Sequence, residues 1–331
     1  MKRKISKKAG ITIFIVIAVI MAALIVFHQN PGANQQEELL KKILSCLVIA
    51  ASCAIFARWY DKFTIFPVEL YQNRHLIWKL AKNDFKKRYA GSYLGAVWAM
   101  AQPVVTVVMY YIVFGVIFAM DGPTLDNGEV IPHVLSLTAG LVPWFYFSEA
   151  LNHGTNALLE YNYLVKQVVF KISILPIIKI IAATFIHVFF VCILLVLAAL
   201  YGYYPSIYTI QLFYYSVCLF ILVLALCYTT CAVVVFFRDL SQIINIALQI
   251  GMWATPILWN LQDIKNPLAV TLIKLNPLVY IVNGYRSAIY EKQWFFQDFF
   301  STMYFWIATV VLFGIGALVF KRLKVHFADV L

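Results

Sequence analysis

Glu149 and His187 stand out among the ionisable side chains that fall inside apolar runs of this sequence. A charge in hydrocarbon is expensive and marks function by default, so these are the first candidates for a proton relay or a ligand contact. His187 is in the middle of its run and can stay neutral, while Glu149 lies near the end of its run and can reach the headgroup layer. Both are therefore read as packing or snorkelling groups. Six cysteines (Cys46, Cys53, Cys192, Cys218, Cys227 and Cys231) also fall in apolar runs. None has C-x-x-C spacing; Cys227 and Cys231, one helical turn apart, read like the others as reduced packing residues. No H-E-x-x-H or paired-Asp motif is present, and Asp and Glu total only 15. No catalytic or metal site is expected. There is no G-x-x-x-x-G-K-[ST], so the chain does not cradle ATP by that device.

Composition decides what can hold these residues. The chain has 331 residues, 63% hydrophobic and 12% charged, with a mean hydropathy of +0.83, against about half and a quarter in soluble domains. Eight stretches approach the roughly 20 apolar residues a membrane-crossing helix needs: 11–27, 43–59, 94–119, 133–152, 174–201, 211–236, 242–260 and 302–320. The first, behind Lys2, Arg3, Lys4, Lys7 and Lys8, could be a secretory signal. It lacks an A-x-A-like cleavage site, and a second apolar stretch follows, so it reads as an uncleaved anchor. The net charge of +11 is spread between apolar runs as a topology signal and points to no nucleic acid. With the N-terminus inside, inward segments carry 19 basic residues and outward segments 6. The outward loop 120–132 has Asp121, Asp126 and Glu129 and no Lys or Arg. The positive-inside rule then puts both termini in the cytoplasm.

Three segments between the spans have their own patterns. In 74–90, Ile77, Ala81, Phe85 and Tyr89 recur at i, i+4 opposite Lys79, Lys82, Asn83, Lys86 and Lys87. That is a basic amphipathic helix suited to the headgroup layer. In 153–173, Leu158, Leu159 and Tyr163 oppose Glu160, Asn162, Lys166 and Gln167, as in a short helix or an ordinary loop. The outward segment 261–301 breaks apolar stretches with Pro267, Pro277, Asn276, Asn283 and Gly284. It suits either a re-entrant hairpin or a packed cap.

Several blocks resemble, in order, the ABC-2-type permeases of the polysaccharide export family, which move O-antigen, teichoic acid, capsule or rhamnose polymers. They are Asn83-Asp84-Phe85-Lys86-Lys87-Arg88-Tyr89 with Ser92, Leu94-Gly95, Trp98 and Pro103; Gly140-Leu141-Val142-Pro143-Trp144; and Leu164-Val165-Lys166 with Phe170 and Pro176. Phe237-Arg238-Asp239, Asn276-Pro277-Leu278, Phe320-Lys321-Arg322 and Phe327-Ala328-Asp329 follow. The resemblance covers about 72–331. Lys171 departs from the family, which commonly has Pro after the Phe, and the two spans before residue 72 lie outside the common core.

The resemblance implies an all-α polytopic protein of the bacterial cytoplasmic membrane. Its parts would be a two-span extension (1–71), an interface helix (72–92) and a six-span permease core (93–331) with a re-entrant hairpin before the last span. It implies a transport subunit rather than an enzyme. Its partners would be a second copy of itself, two copies of a cytoplasmic ABC ATPase that binds the ATP and Mg, a lipid-linked polysaccharide, and membrane lipids. On this analogy Asp84, Lys86, Lys87, Arg88 and Tyr89 belong to the interface helix. Leu159, Glu160, Tyr161, Leu164 and Lys166 belong to a coupling helix over 158–168. Sugar C–H faces pack on aromatic rings and slide, so Tyr110, Tyr111, Trp144, Trp253 and Trp259 are the expected channel lining. The spans 94–119 and 242–260 of two protomers would surround the channel.

Rival readings need features that are missing from the sequence. A membrane glycosyl- or acyltransferase needs an acidic or His-based centre. A proton-coupled transporter needs an internal repeat or several intramembrane carboxylates. A drug or lipid exporter of the ABC class remains the nearest alternative.

Overall fold

The computed structural model describes residues 7–27, 35–58, 60–88, 91, 93, 95, 97–125, 128–165, 171–261 and 264–331. The chain divides into two compact units, Met1–His75 and Leu76–Leu331. Among the described residues there is no strand, only an isolated bridge between Thr124 and Val130.

The first unit holds α1 (Lys7–Phe27), α2 (Gln35–Arg58) and the start of α3 (Tyr60–Arg88). Phe14 stacks on Phe56 at 4.1 Å between ring centroids, and Phe56 meets Tyr60 edge-on at 5.5 Å. Both α1 and α2 are long and apolar enough to cross a membrane. Their outer faces are apolar and exposed, as at Ile17, Val19, Leu40 and Leu47, which suits lipid as solvent.

The second unit begins with the C-terminal part of α3. Next comes α4 (Val97–Tyr110), prolonged by a π-helical segment Tyr111–Ile117, and α5 (His133–Thr155). After α5 come the one-turn helices α6 (Ala157–Glu160) and α7 (Asn162–Val165), then α8 (Leu175–Leu200) and α9 (Gln211–Val234). The chain continues through α10 (Leu240–Ala254), α11 (Pro267–Lys274) and α12 (Pro277–Arg286, with a π-helical extension Ser287–Glu291). It closes with α13 (Phe299–Leu323) and α14 (Phe327–Val330). α5 packs on α8 and α9, α13 on α9, and α12 on both α5 and α9. Small residues let these backbones approach. A Cβ on Gly316 would lie 2.8 Å from the Ala225 carbonyl oxygen, and one on Gly154 would meet the Cys227 sulfur. Cys218, Cys227 and Cys231 are buried packing residues, whereas Cys46 and Cys53 are half-buried and Cys192 is exposed; all six are free.

Burial does not follow hydropathy. α5 is the least apolar of the candidate spans and the most buried, whereas the span Val97–Ile117 is more apolar and has no buried residue. α10 has one, Ile244, and exposes Ile243, Ile246, Ile250 and Trp253. Two neighbouring apolar helices are therefore uncovered within one copy of the chain.

The seventh expected span, 242–260, is shorter than its apolar run. α10 has 15 residues, about 22 Å of helix against a hydrocarbon core of about 30 Å. Pro256 is the cause, because the residue before a proline is pushed out of the helical region. Thr255 stands at φ −95°, ψ 140°. Among the described residues, seven helices qualify as spans by length and composition, or eight if α11 and α12 with its extension, bent by 97°, count as one. Both halves of that pair start on the same device. Asn266 and Asn276 each accept a hydrogen bond at 3.0 Å from the backbone N–H two residues on, with proline in the first turn. Asn276 also donates to Thr255 at 3.0 Å, tying the end of α10 to the start of α12.

Candidate functional site

At the end of the second unit where α3, α5 and α9 finish, five charged side chains form one network around a buried Asp84–Lys179 pair. Lys179, in the first turns of α8 and 2% exposed, donates to both Asp84 of α3 and Glu160 of α6. Arg88 donates to Asp84 at 3.1 Å and to Glu149 of α5 at 2.8 Å. The Tyr161 hydroxyl donates to Asp84 at 2.8 Å, and its ring lies 4.8 Å from the Lys179 ammonium. Burial alone would raise the Asp84 pKa. The Lys179 and Tyr161 hydrogen bonds and the Lys179 and Arg88 charges outweigh it and hold the carboxyl below its ordinary value. Asp84 is thus the hub: it accepts from α3, from the α6–α7 junction and from α8.

Beside this network, α4, α5, α8 and α10 enclose a cleft of about 500 Å³ whose lining includes Trp98, Gln102, Ser148, Glu149, Asn152 and His187. Asn152 donates to Asn245 of α10, and Asn156 accepts from Ser241 at 2.7 Å, so α5 and α10 are joined by polar contacts at this end. His187 is 4% exposed. Its Nε2 is 2.9 Å from the Tyr285 hydroxyl and 3.1 Å from Ser216, while Nδ1 has no hydrogen-bond partner among the described residues.

Four of the five aromatic residues expected to line a channel, Tyr110, Trp144, Trp253 and Trp259, gather around the last turn of α10. The Tyr110 hydroxyl is 3.7 Å from the Met252 sulfur. The Trp144 ring faces Gly251, where a Cβ would approach it to 3.1 Å. Trp259 donates to the Trp253 carbonyl at 3.1 Å. Trp253 and Tyr111 are exposed, at 60% and 38%, whereas Trp144 is a core residue at 5% and packs on Phe147.

The coupling segment is not one helix. It breaks at Tyr161 (φ −105°, ψ 29°) into α6 and α7. Leu159 and Leu164 are half-buried, Glu160 is exposed and Tyr161 is buried; Lys166 lies outside the described residues. On α3, Lys86 and Lys87 face outward while Asp84 and Arg88 turn inward, and Tyr89 lies outside the described residues. Arg238 and Asp239 are exposed in the turn before α10 and make no side-chain bond among the described residues. Phe327 is fully buried against Phe236 and Phe320.

Sequence reasoning did not single out Lys179 as a site residue, and it gave Glu149 no partner. A lysine inside an apolar run, with Asp84 and Glu160 in the neighbouring inward segments, was the available signal, since a buried cation needs a counter-charge.

The profile of the ABC-2 type transporter family matches residues 75–290. The chain is 29% identical over 262 residues to the O-antigen export system permease protein RfbA of Myxococcus xanthus, covering 79% of this chain and 97% of that protein. Two O-antigen export system permease proteins of Klebsiella pneumoniae are each 24% identical over 76% of this chain and 93% of theirs. The chain belongs to the ABC-2 type transporter family.

Proposed function

We propose that this chain is the membrane permease subunit of an ATP-driven exporter. It would carry a lipid-linked polysaccharide across the bacterial cytoplasmic membrane through a channel at a homodimer axis, both termini being cytoplasmic. A separate cytoplasmic ATPase, in two copies, binds the nucleotide and Mg and supplies the energy. The names of the relatives, aligned over nearly their whole length, support the substrate class. One structural observation carries the path: the exposed apolar faces of α4 and α10 flank a cleft lined by both polar and aromatic side chains. A second copy set against those faces closes the cleft, as an isologous two-fold contact would.

In this mechanism the motor presses on α6 and α7 and on the basic face of α3. Glu160 and Tyr161 are bonded to Lys179 and Asp84, so movement of α6–α7 moves α3 and α8 with it. Arg88 carries the displacement to Glu149, in the cleft wall. The bent pair α11–α12 re-enters from the outer side and closes the exit at rest. The aromatic rings near Trp253 offer sliding contacts and hold no sugar tightly.

The test is purification with an ABC ATPase subunit from the same cell, measuring co-elution and stimulation of hydrolysis by lipid-linked glycans. Co-elution with glycan stimulation is expected. Absence of both ends the proposal, and stimulation by a drug or simple lipid alone moves it to that branch of the ABC class.

A further inference from the structure

At the opposite end of the second unit from the charge network lies a cavity of about 780 Å³. It is bounded by residues 123–125, α12 with its π-helical extension, and the start of α13. That volume falls in the range of about 300–1,000 Å³ used by small-molecule sites. We propose that this cavity is a saccharide-binding site, separate from the cleft between α4, α5 and α10.

The walls have the chemistry of sugar recognition. Tyr280, Phe295 and Trp294 present ring surface, and each ring is held from behind. The Tyr280 hydroxyl is 3.1 Å from that of Tyr214, Phe295 stacks on Tyr214 at 4.3 Å, and Trp294 stacks on Phe296 at 5.8 Å. Rings fixed in this way offer flat apolar faces at little entropic cost. Two polar side chains of the lining have spare capacity: the Asn283 amide and the Lys274 ammonium make no hydrogen bond or ion pair among the described residues. A wholly apolar ligand would leave them unmatched, which costs affinity.

Charge decides between a sugar and an anionic headgroup. The lining carries two cations, Lys274 and Arg286, and two carboxylates, Glu291 and Asp298. Such a balance does not select phosphate. It does supply donors and acceptors together, which hydroxyl groups, able to both give and accept, can satisfy. A ring with an apolar C–H face and a hydroxylated edge matches both halves of the lining. The ligand class rests on this lining alone; only the view that an exported chain meets the site on leaving rests on the proposed function.

The test uses the full chain in lipid nanodiscs, without ATP. Saturation-transfer NMR is recorded with methyl α-L-rhamnoside, N-acetylglucosamine and maltotriose, and with glycerol 3-phosphate as the anionic probe. At least one sugar should show transfer. Its affinity should fall roughly tenfold in Asn283→Leu, as expected for a lost hydrogen bond in a filled site, and should also fall in Lys274→Ala, whose side chain is exposed and whose fold is not at risk. Leu318→Ala, on an exposed face of α13 outside the cavity lining, should bind as wild type. The proposal is overturned if no sugar shows transfer, if both cavity variants bind as wild type, or if glycerol 3-phosphate alone shows transfer. Polymer export measured separately keeps the two ideas apart. Export without sugar binding refutes only the cavity, and sugar binding without export refutes only the exporter.

Discussion

The two ends of the 76–331 unit are held by different chemistry. At one end Lys179, Asp84, Arg88, Glu149 and Glu160 join four helices through charge-assisted bonds around a buried carboxylate. At the other, Tyr214, Tyr280, Phe295, Phe305 and Trp306 interlock through rings and neutral hydroxyls, with Trp306 donating to Tyr214 at 3.0 Å. Charge-assisted bonds are directional and roughly twice as strong as neutral ones, so they suit a joint that must transmit displacement. Stacked rings depend less on register and leave surface over which a ligand can move. The contrast teaches that within one helical bundle the joint and the opening can be told apart by bond type alone.

Breaking the charged end should have the largest effect. Lys179→Met leaves Asp84 buried without its main counter-charge and should lower stability by about 3–5 kcal/mol. Glu160, whose side chain is 45% exposed, adds little to that figure. Melting in detergent checks it, and Asp84→Asn in the same chain should recover part of the loss. At the aromatic end, Gly284→Ala puts a Cβ 2.1 Å from a Tyr215 ring carbon, and the forced shift should cost about 1–3 kcal/mol in the same melt. The hinge between α11 and α12 is tested by Asn276→Ala. It removes a helix cap worth about 1 kcal/mol, and α12 should then show faster amide exchange at Leu278.

The smallest effect concerns pH. The Asp84 carboxyl is held below its ordinary value of 3.8. Its stabilising share is complete above that value and is lost only as pH falls through the lowered one. The melting difference between wild type and Asp84→Asn should therefore stay constant from about pH 7 to about pH 5 and shrink only in stronger acid.

Much of this architecture was legible because lipid imposes simple rules. The spans were marked by runs of apolar residues, and the amphipathic stretch of α3 by its lysines. The Asn276-Pro277-Leu278 block proved to be a helix start, and the structure shows the same letters at Asn266-Pro267-Leu268, legible in the sequence only as a break, starting α11. What could not be read was which apolar helix is buried. α4 is more apolar than α5 yet is the uncovered one, and only packing reveals that Gly140 of α5 lies against the Ile257 turn held by Arg286. α10 ended early although Pro256 was in plain view, because an apolar run hides a break in backbone geometry. In the site, Lys179 went unnoticed because its partners Asp84 and Glu160 lie 95 and 19 residues away in sequence. Pairing at such distance follows from topology and leaves no local pattern.

The central claim is that the charged joint couples the motor to the cleft. The direct measurement is polymer exported per ATP hydrolysed, compared between wild type and the neutral pair Asp84→Asn, Lys179→Met, in sealed proteoliposomes with the ATPase bound. The account predicts that hydrolysis continues while export per ATP falls about tenfold, equivalent to about 1.4 kcal/mol of lost coupling. An unchanged ratio would contradict it.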